Sequence, residues 1–370
     1  MSYLDQLLKG TKVEWLPLGD FANYEQPTKY LVESKNYSDS FNTPVLTAGK
    51  TFVLGYTDET EGIYKASEKP VIIFDDFTTA NKWVDFDFKA KSSAMKMITV
   101  KDESKILLKY IYYWLNSLPS GLVEGDHKRQ WISNYSKKLF PIPELEIQKE
   151  IAGILDSFTE LTAELTAELT ARKQQYSYYR EALLRFEDKD VEWKTLGEVG
   201  EIKRGVAFTK KQAVFGKFPV VANAPEPICF HNKFNRNGEF IVVARSGANA
   251  GLINYWNEEL YLTDAFSIHP NDSILNTKFA FYYLKKHQRE IHLMKKGSGV
   301  PHVRASDFEI YKVPIPPLEE QKRIVNILDK FDTLTSSISE GLPKEIELRE
   351  KQYEYYREML LTFPMDNLEE

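Results

Sequence analysis

Pro141-Ile-Pro-Glu-Leu-Glu-Ile-Gln-Lys-Glu-Ile-Ala-Gly-Ile-Leu-Asp-Ser-Phe158 returns later in the chain as Pro314-Ile-Pro-Pro-Leu-Glu-Glu-Gln-Lys-Arg-Ile-Val-Asn-Ile-Leu-Asp-Lys-Phe331. A second block, Arg172-Lys-Gln-Gln-Tyr-Ser-Tyr-Tyr-Arg-Glu-Ala-Leu-Leu184, returns as Arg349-Glu-Lys-Gln-Tyr-Glu-Tyr-Tyr-Arg-Glu-Met-Leu-Leu361, and a third, Val13-Glu-Trp-Leu-Pro-Leu-Gly19, as Val191-Glu-Trp-Lys-Thr-Leu-Gly197. The blocks keep their order and nearly constant offsets, so the chain is a duplication of domain and helix. Within the first copy a finer repeat, Thr162-Ala-Glu-Leu165 followed by Thr166-Ala-Glu-Leu169, keeps Leu161, Leu165 and Leu169 near one helical face.

Ile151, Ile154, Leu155, Phe158, Leu161, Leu165 and Leu169 step by three or four, the period of an amphipathic helix. A helix from Leu145 to Phe186 is roughly 60 Å long at ~1.5 Å per residue, and its apolar stripe needs a partner helix. The second copy supplies one from Leu318 to about Leu361, broken at Gly341-Leu-Pro343. Between the helices, Pro70–Phe74 and Glu239–Ala244 read as buried strands, Leu107–Leu118 and Thr277–Leu293 as helices, and Gly49, Gly55 and Gly247 as turns. The expected fold is α+β. Two globular mixed domains, 13–140 and 191–313, are separated by helical regions 141–190 and 314–370 that pair as an antiparallel coiled coil, a pseudo-two-fold internal repeat. Segment 1–12 packs with the helical regions: Leu4-Asp-Gln-Leu-Leu8 resembles Tyr179-Arg-Glu-Ala-Leu-Leu184 and completes the second region in a circular arrangement.

The chain has 370 residues, enough for two or three domains at ~100–200 residues each. Cys229 is the single cysteine, so no internal disulfide forms and a reducing compartment is expected. The amino terminus lacks a signal-peptide pattern, and no stretch approaches the ~18 apolar residues of a membrane helix, which leads to the expectation of a cytoplasmic protein. The six histidines show no metal-ligand spacing, and neither a P-loop nor a Gly-x-Gly-x-x-Gly is present; Asn223-Ala-Pro-Glu is not the Asn-Pro-Pro-aromatic motif of an adenine methyltransferase.

The net charge of −6 hides a strong asymmetry. Glu144 to Glu168 is acidic, with Lys149 its one base, whereas Phe281 to Arg304 carries Lys285, Lys286, Arg289, Lys295, Lys296 and Arg304 against Glu290. The basic run ends in Lys295-Lys-Gly-Ser298-Gly-Val-Pro-His302-Val-Arg304, and the first copy has Gly125-Asp-His127-Lys128-Arg129-Gln130-Trp131 at the matching place. Lys and Arg suit phosphate contacts, while Arg, Gln and Asn suit base edges. Asp75-Asp-Phe-Thr-Thr-Ala-Asn-Lys82 follows a buried strand, so Thr78, Thr79, Asn81 and Lys82 are placed to touch bases, and an Asp there can accept from a cytosine amino group; an Asx-type turn is the plainer alternative. The matching loop, Arg245-Ser246-Gly-Ala-Asn249-Ala-Gly251, has different chemistry on a similar frame. Lys50, Lys89, Lys91 and Arg204 complete the set of candidate DNA contacts.

At these motifs the chain resembles the specificity subunits of type I restriction–modification systems. The pair Pro-Ile-Pro-x-Leu-Glu-x-Gln-Lys and Gln-Tyr-x-Tyr-Tyr-Arg is similar to that family's helical regions, and the Thr-Ala-Glu-Leu repeat resembles the spacer of the IC subgroup. The resemblance covers the whole chain and implies two target recognition domains, each reading half of a split site in double-stranded DNA. It further implies a helical ruler that docks two modification subunits, and often two restriction subunits, and a chain without catalytic residues or cofactor of its own. S-adenosylmethionine, and ATP with Mg²⁺ for restriction, belong to the partners. Gln148, Lys149, Tyr176, Tyr179, Arg180 and their repeats Gln321, Lys322, Tyr353, Tyr356 and Arg357 are the expected partner contacts, since three tyrosines within four residues cannot all face one seam. Two rival readings stand beside this one: a metal-dependent nuclease built on Asp76, Asp87 and Lys89, and a coiled-coil scaffold without a DNA role.

Overall fold

The structure is a computed structural model in which residues 7, 10–49, 51–119, 129–209, 214–224, 226–296, 301–337 and 339–363 are described. It divides into two compact units, one formed by Met1–Glu164 with Ile346–Glu370 and the other by Leu165–Glu345. The division falls inside the tandem Thr-Ala-Glu-Leu repeat.

The first unit contains β1 (Glu14–Pro17), β2 (Ala22–Glu25), β3 (Thr43–Leu46), β4 (Val53–Thr57), β5 (Val71–Asp75), β6 (Asn81–Val84), β7 (Lys89–Ala90) and β8 (Met95–Val100). Helices α1 (Leu108–Ser117) and α2 (Gln130–Ser133) and strand β9 (Leu139–Ile142) follow. Strands β2-β8-β5-β6 form an antiparallel sheet, and β4-β3-β7 form a smaller one in which β3 runs antiparallel to β4 and parallel to β7. Strand β5 reads as an unbroken apolar run because both its faces are covered: Ile72 and Phe74 enter one core with Tyr110 and Trp114, while Val71 and Ile73 enter another with Met95 and Met97.

Helix α3 (Leu145–Leu183) runs from the first unit into the second. The second unit continues with β10 (Glu192–Thr195), α4 (Leu196–Val199), β11 (Gly200–Arg204), β12 (Phe218–Val221), β13 (Cys229–His231), β14 (Glu239–Ala244), β15 (Ile253–Asn257), β16 (Tyr261–Leu262) and β17 (Ala265–Pro270). It closes with α5 (Thr277–Lys286), α6 (Gln288–Leu293), α7 (Ala305–Glu309), β18 (Lys312–Ile315) and α8 (Leu318–Ser336). The final helix is α9 (Gly341–Leu361), most of which belongs to the first unit. The sheets, β11-β17-β14-β15 and β13-β12-β16, repeat the first unit's strand order and directions strand for strand. The duplication therefore extends through the regions whose sequences no longer match.

The repeated blocks meet at the base of each domain. Strand β1 pairs antiparallel with β9, placing Trp15 opposite Pro141, and β10 pairs with β18, placing Trp193 opposite Pro314. The third block ends in glycine for a steric reason: a Cβ on Gly19 would lie 2.9 Å from the Ser136 carbonyl oxygen, and one on Gly197 would lie 2.9 Å from that of Glu309. The glutamine of the first block is wholly buried in both copies. Gln148 Nε2 donates to the carbonyls of Pro143 (2.9 Å) and Lys105 (3.0 Å), and its Oε1 accepts from Leu107 N (2.9 Å). Gln321 does the same with Pro316 (2.8 Å), Ile274 (2.9 Å) and Asn276 N (2.8 Å). A second tie recurs beside it. Asp156 accepts from Tyr113 Oη (2.5 Å) and pairs with Lys109 (3.0 Å), whose ammonium lies 4.3 Å from the Trp83 ring centre. Asp329 accepts from Tyr282 Oη (2.6 Å) and pairs with Lys278 (2.7 Å), which lies 5.4 Å from the Tyr255 ring centre. Burial, reinforced by the accepting carboxylate, holds both phenols well above the usual tyrosine range.

The expected break in the second helix is present, just before Gly341, and two other sequence expectations change. The second helix is two, α8 and α9; Gly341 opens α9 with a φ of +81°, and Pro343 sits in its first turn, where a missing N–H costs nothing. Thr277–Leu293 divides at His287 into α5 and α6. Gly55 lies within β4, where a Cβ would meet that of Tyr37 at 2.9 Å. In segment 1–12 only Leu7 and residues 10–12 are described, and Leu7 packs against the first unit's core.

Replacing either buried glutamine with Ala strips buried backbone groups of their partners. Gln148→Ala and Gln321→Ala are each expected to destabilise the chain by about 1–3 kcal/mol, read as a lower denaturation midpoint; a loss within a few tenths would show that water satisfies those groups.

Candidate nucleic-acid interface

In the second unit the two basic loops anticipated from the sequence come together. Gly247 N donates to the Pro301 carbonyl (3.1 Å), Val303 N to that of Arg245 (2.9 Å), and Lys295 Nζ to that of Ala248 (2.9 Å). Lys296 and His302 exchange backbone hydrogen bonds at 2.9 and 3.0 Å. Beside this junction lies a concavity of about 500 Å³ lined by Arg204, Arg245 and Arg304 together with Phe208, Thr263 and Asp264. All three arginines are exposed. Arg245 lies 4.0 Å from Asp264, an exposed pair of small energetic weight. Three forked cations around one hollow suit the phosphate oxygens of a nucleic acid.

The first unit builds the same junction from different residues. Gln130 N donates to the Asp76 carbonyl and Trp131 N to Asp76 Oδ1, both at 2.8 Å, so the loop after β5 meets the segment entering α2. Asp75 caps the loop: its Oδ1 accepts from Phe77 N (2.9 Å) and Thr78 N (3.2 Å), the Asx-type turn, and Thr79 N donates to the Asp75 carbonyl (2.9 Å). Thr78, Lys82 and Arg129 are exposed here.

Several candidates are spent inside the protein instead. Lys89 is buried against Glu59 (2.7 Å) and donates to the Glu61 carbonyl (2.7 Å). Thr79, Gln130 and Ser246 are buried, and Asn81 Oδ1 accepts from Asn116 (2.9 Å). Asp75 and Asp76 hold their own loop, so neither is free to take a base amino group. Lys91 is half-buried, 5.6 Å from the Tyr37 ring centre, and Lys296 pairs with Asp307 (3.0 Å). Lys285 donates to the Ile253 carbonyl and Lys286 to that of Leu184, both at 3.0 Å. Asn249 is exposed and His302 half-buried. Lys50, His127, Lys128 and Ser298 lie outside the described residues. Asp76, Asp87 and Lys89 are not assembled into a metal site: Asp76 faces Lys96 (3.4 Å), Asp87 accepts from Lys65 (2.8 Å) and Ser67 (2.6 Å), and Lys89 holds Glu59.

The expected partner contacts are also re-sorted. Gln148 and Gln321 are interior ties. Tyr176 and Tyr179 stack on Phe331 with ring centres 6.0 and 5.4 Å away, and Tyr356 stacks on Phe158 at 5.3 Å. Tyr353 packs on the first unit's core. Burial beside Asp332 raises the Tyr176 phenol to about 12. Arg180 and Arg357 lie over the Tyr176 and Tyr353 rings at 5.7 and 5.4 Å. The most outward residues are Tyr178 and Tyr355, 70% and 63% exposed, along with Lys149 and Lys322, and Tyr179 keeps one exposed side while stacked on Phe331. Reading by spacing alone had missed Thr263 and Asp264, which line the concavity, and Asn223, which donates to Asp264 from a loop distant in sequence.

The profile of the family described as type I restriction modification DNA specificity domain matches the chain twice, over residues 11–172 and 188–348. The chain belongs to this family. As a specificity-family member it is 51% identical to the EcoR124I/EcoR124II specificity subunit of Escherichia coli, with 98% of each chain covered. It is 28% identical to the EcoprrI specificity subunit of the same organism over 92% of each. Its fold matches that of a type I restriction–modification S subunit from M. genitalium with a TM-score of 0.71 and 18% identity, covering 99% of this chain and 100% of that one.

For this specificity chain, the arginine rim makes a prediction about salt. Arg204→Ala and Arg304→Ala should weaken binding to every duplex and flatten the dependence of log affinity on log salt by about 0.9 for each phosphate contact removed. Titration of the assembled complex at several salt concentrations measures this; an unaltered slope would exclude these arginines from the phosphate contacts.

Proposed function

We propose that this chain is the DNA-reading subunit of a type I restriction–modification complex, with each unit's α+β domain contacting one half of a split target in double-stranded DNA. The observation that carries this is the pairing of an identical frame with dissimilar loops. The same sheets and the same loop junction present Thr78, Lys82 and Arg129 in one unit and Arg204, Arg245 and Arg304 in the other. A shared scaffold with different side chains at one place is what two readers of unlike sequences require.

The chain contributes recognition, and the chemistry belongs to its partners. Two modification subunits bring S-adenosylmethionine and methylate adenine, and two restriction subunits bring the ATP- and Mg²⁺-dependent cleavage, in the cytoplasm. The recognition domains correspond to 13–140 and 191–313, and the helical regions to 141–190 and 314–370. Helix α3 acts as the ruler. One added Thr-Ala-Glu-Leu unit contributes ~6 Å of helix, one to two base-pair steps at ~3.4 Å each.

Mapping methylated adenines in cells carrying this chain and its modification subunit should reveal a split motif with one modified base on each strand. Inserting one further tetrad after Leu169 should lengthen the unread gap and leave both half-motifs intact. A continuous motif, or an unchanged gap, would refute the reading. Docking of the modification subunits falls to the outward tyrosines: Tyr178→Ala with Tyr355→Ala should reduce co-purification of the modification subunit while leaving the thermal midpoint near that of the wild type. Undiminished co-purification would move the docking surface elsewhere.

A further inference from the structure

The arginine-rimmed concavity of the second unit contains one feature that phosphate binding does not explain. Asp264 is the only carboxylate among its described lining residues, set between cations. Its backbone has a φ of +39°, a conformation L-residues rarely adopt. Among the described residues the one other non-glycine position with positive φ is Thr79, in the loop after β5 of the first unit. Strain of this kind persists where surrounding bonds over-determine the geometry, and it gathers at ligand sites.

The surrounding bonds are specific. Ser246 Oγ donates to Asp264 Oδ2 at 2.7 Å, and Asn223 Nδ2 donates to the same oxygen. Asn223 Nδ2 also reaches Ser246 Oγ (2.8 Å). Three loops are thus tied through one carboxylate oxygen. The other oxygen, Oδ1, makes no hydrogen bond among the described residues. It lies 4.0 Å from the Arg245 guanidinium, beyond hydrogen-bond range, on a side chain 45% exposed.

We propose that Asp264 reads a base: its Oδ1 accepts a hydrogen bond from an exocyclic amino group, of cytosine or adenine, on the major-groove edge of the half-site facing the second unit. The assignment rests on the DNA-reading function proposed above. Charge sorts the contacts. The arginines at the rim attract phosphates, whereas a carboxylate repels them and needs a donor, which among base edges in the major groove means the amino groups of cytosine and adenine. Ser246 and Asn223 hold Oδ2 and so aim Oδ1, making them positioning residues. The matching connection in the first unit, Lys91-Ser-Ser-Ala94 between β7 and β8, carries no carboxylate: Lys91 takes the place of Thr263, its N donating to the Leu46 carbonyl (2.8 Å) as Thr263 N does to that of Val221 (2.9 Å). The two half-sites therefore differ in what they must offer at this point.

The test uses the assembled complex and duplexes in which one base at a time loses its amino group, cytosine being replaced by 2-pyrimidinone and adenine by purine. Wild-type binding should fall about tenfold at one position of one half-site, with the replaced base showing whether cytosine or adenine is read. Asp264→Ala should erase the dependence at that position and keep the profile of the other half-site. Ser246→Ala, which spares the carboxylate, should blunt the same position alone. An Asp264→Ala complex that keeps the wild-type profile at every position, even if it binds more weakly overall, would make Asp264 a scaffold residue and overturn the proposal. So would a wild-type complex indifferent to every amino group of that half-site while still requiring its sequence. Indifference to sequence in both half-sites would instead overturn the DNA-reading function itself.

Discussion

Each unit is completed by a helical segment that the other repeat supplies, and this exchange is the constraint on which the rest depends. Phe158, from the first block of the first copy, stacks on Tyr356, from the second block of the second copy. Phe331, from the first block of the second copy, stacks on Tyr176 and Tyr179, from the second block of the first. Such aromatic pairs are worth about 0.5–1.5 kcal/mol beyond the area they bury, and the cores around them include Ile151, Leu155 and Leu360 in one unit and Ile324, Leu328 and Leu184 in the other. Neither sequence repeat is a folding unit by itself, because each core needs residues from both copies.

The buried glutamines and the tyrosine–aspartate–lysine ties connect that helical base to the recognition frame. An amide that satisfies two carbonyls and one N–H is expensive to displace. An aspartate held by a phenol and an ammonium likewise fixes the angle between domain helix and spacer helix. Both devices appear in the two units with nearly equal distances, although the strands between them share little sequence. The base is held constant while the loops at the β5–β6 and β14–β15 connections vary freely, so affinity for the duplex backbone and choice of bases can be adjusted separately.

Much of the frame was legible before any coordinates. The repeat blocks announced the duplication, the helical period marked α3 within three residues of its observed end, and the apolar runs at β5 and β14 were recognisable because both sheet faces are buried. The two loops singled out in each copy lie against each other. The break of the second helix before Gly341 was anticipated within a few residues, whereas the one at His287 was misread, since apolar periodicity survives a local turn when both flanking helices pack on one core. Residue roles were less legible than loop positions. Lys89, Gln130 and the two repeated glutamines look like surface groups in a one-dimensional pattern, yet partners far along the chain bury them.

Duplication, helical spacer, mixed domains and the division of basic and acidic segments followed from the sequence by itself, because periodicity, repetition and charge are local or copied properties. Tertiary structure alone decided which tyrosines pack and which face outward, which cations are free and which are consumed in ion pairs, and that Asn223, Ser246 and Asp264 form one network. The reason is physical: a side chain's chemistry depends on what occupies the few ångströms around it, and here those neighbours come from loops joined only when the sheets assemble.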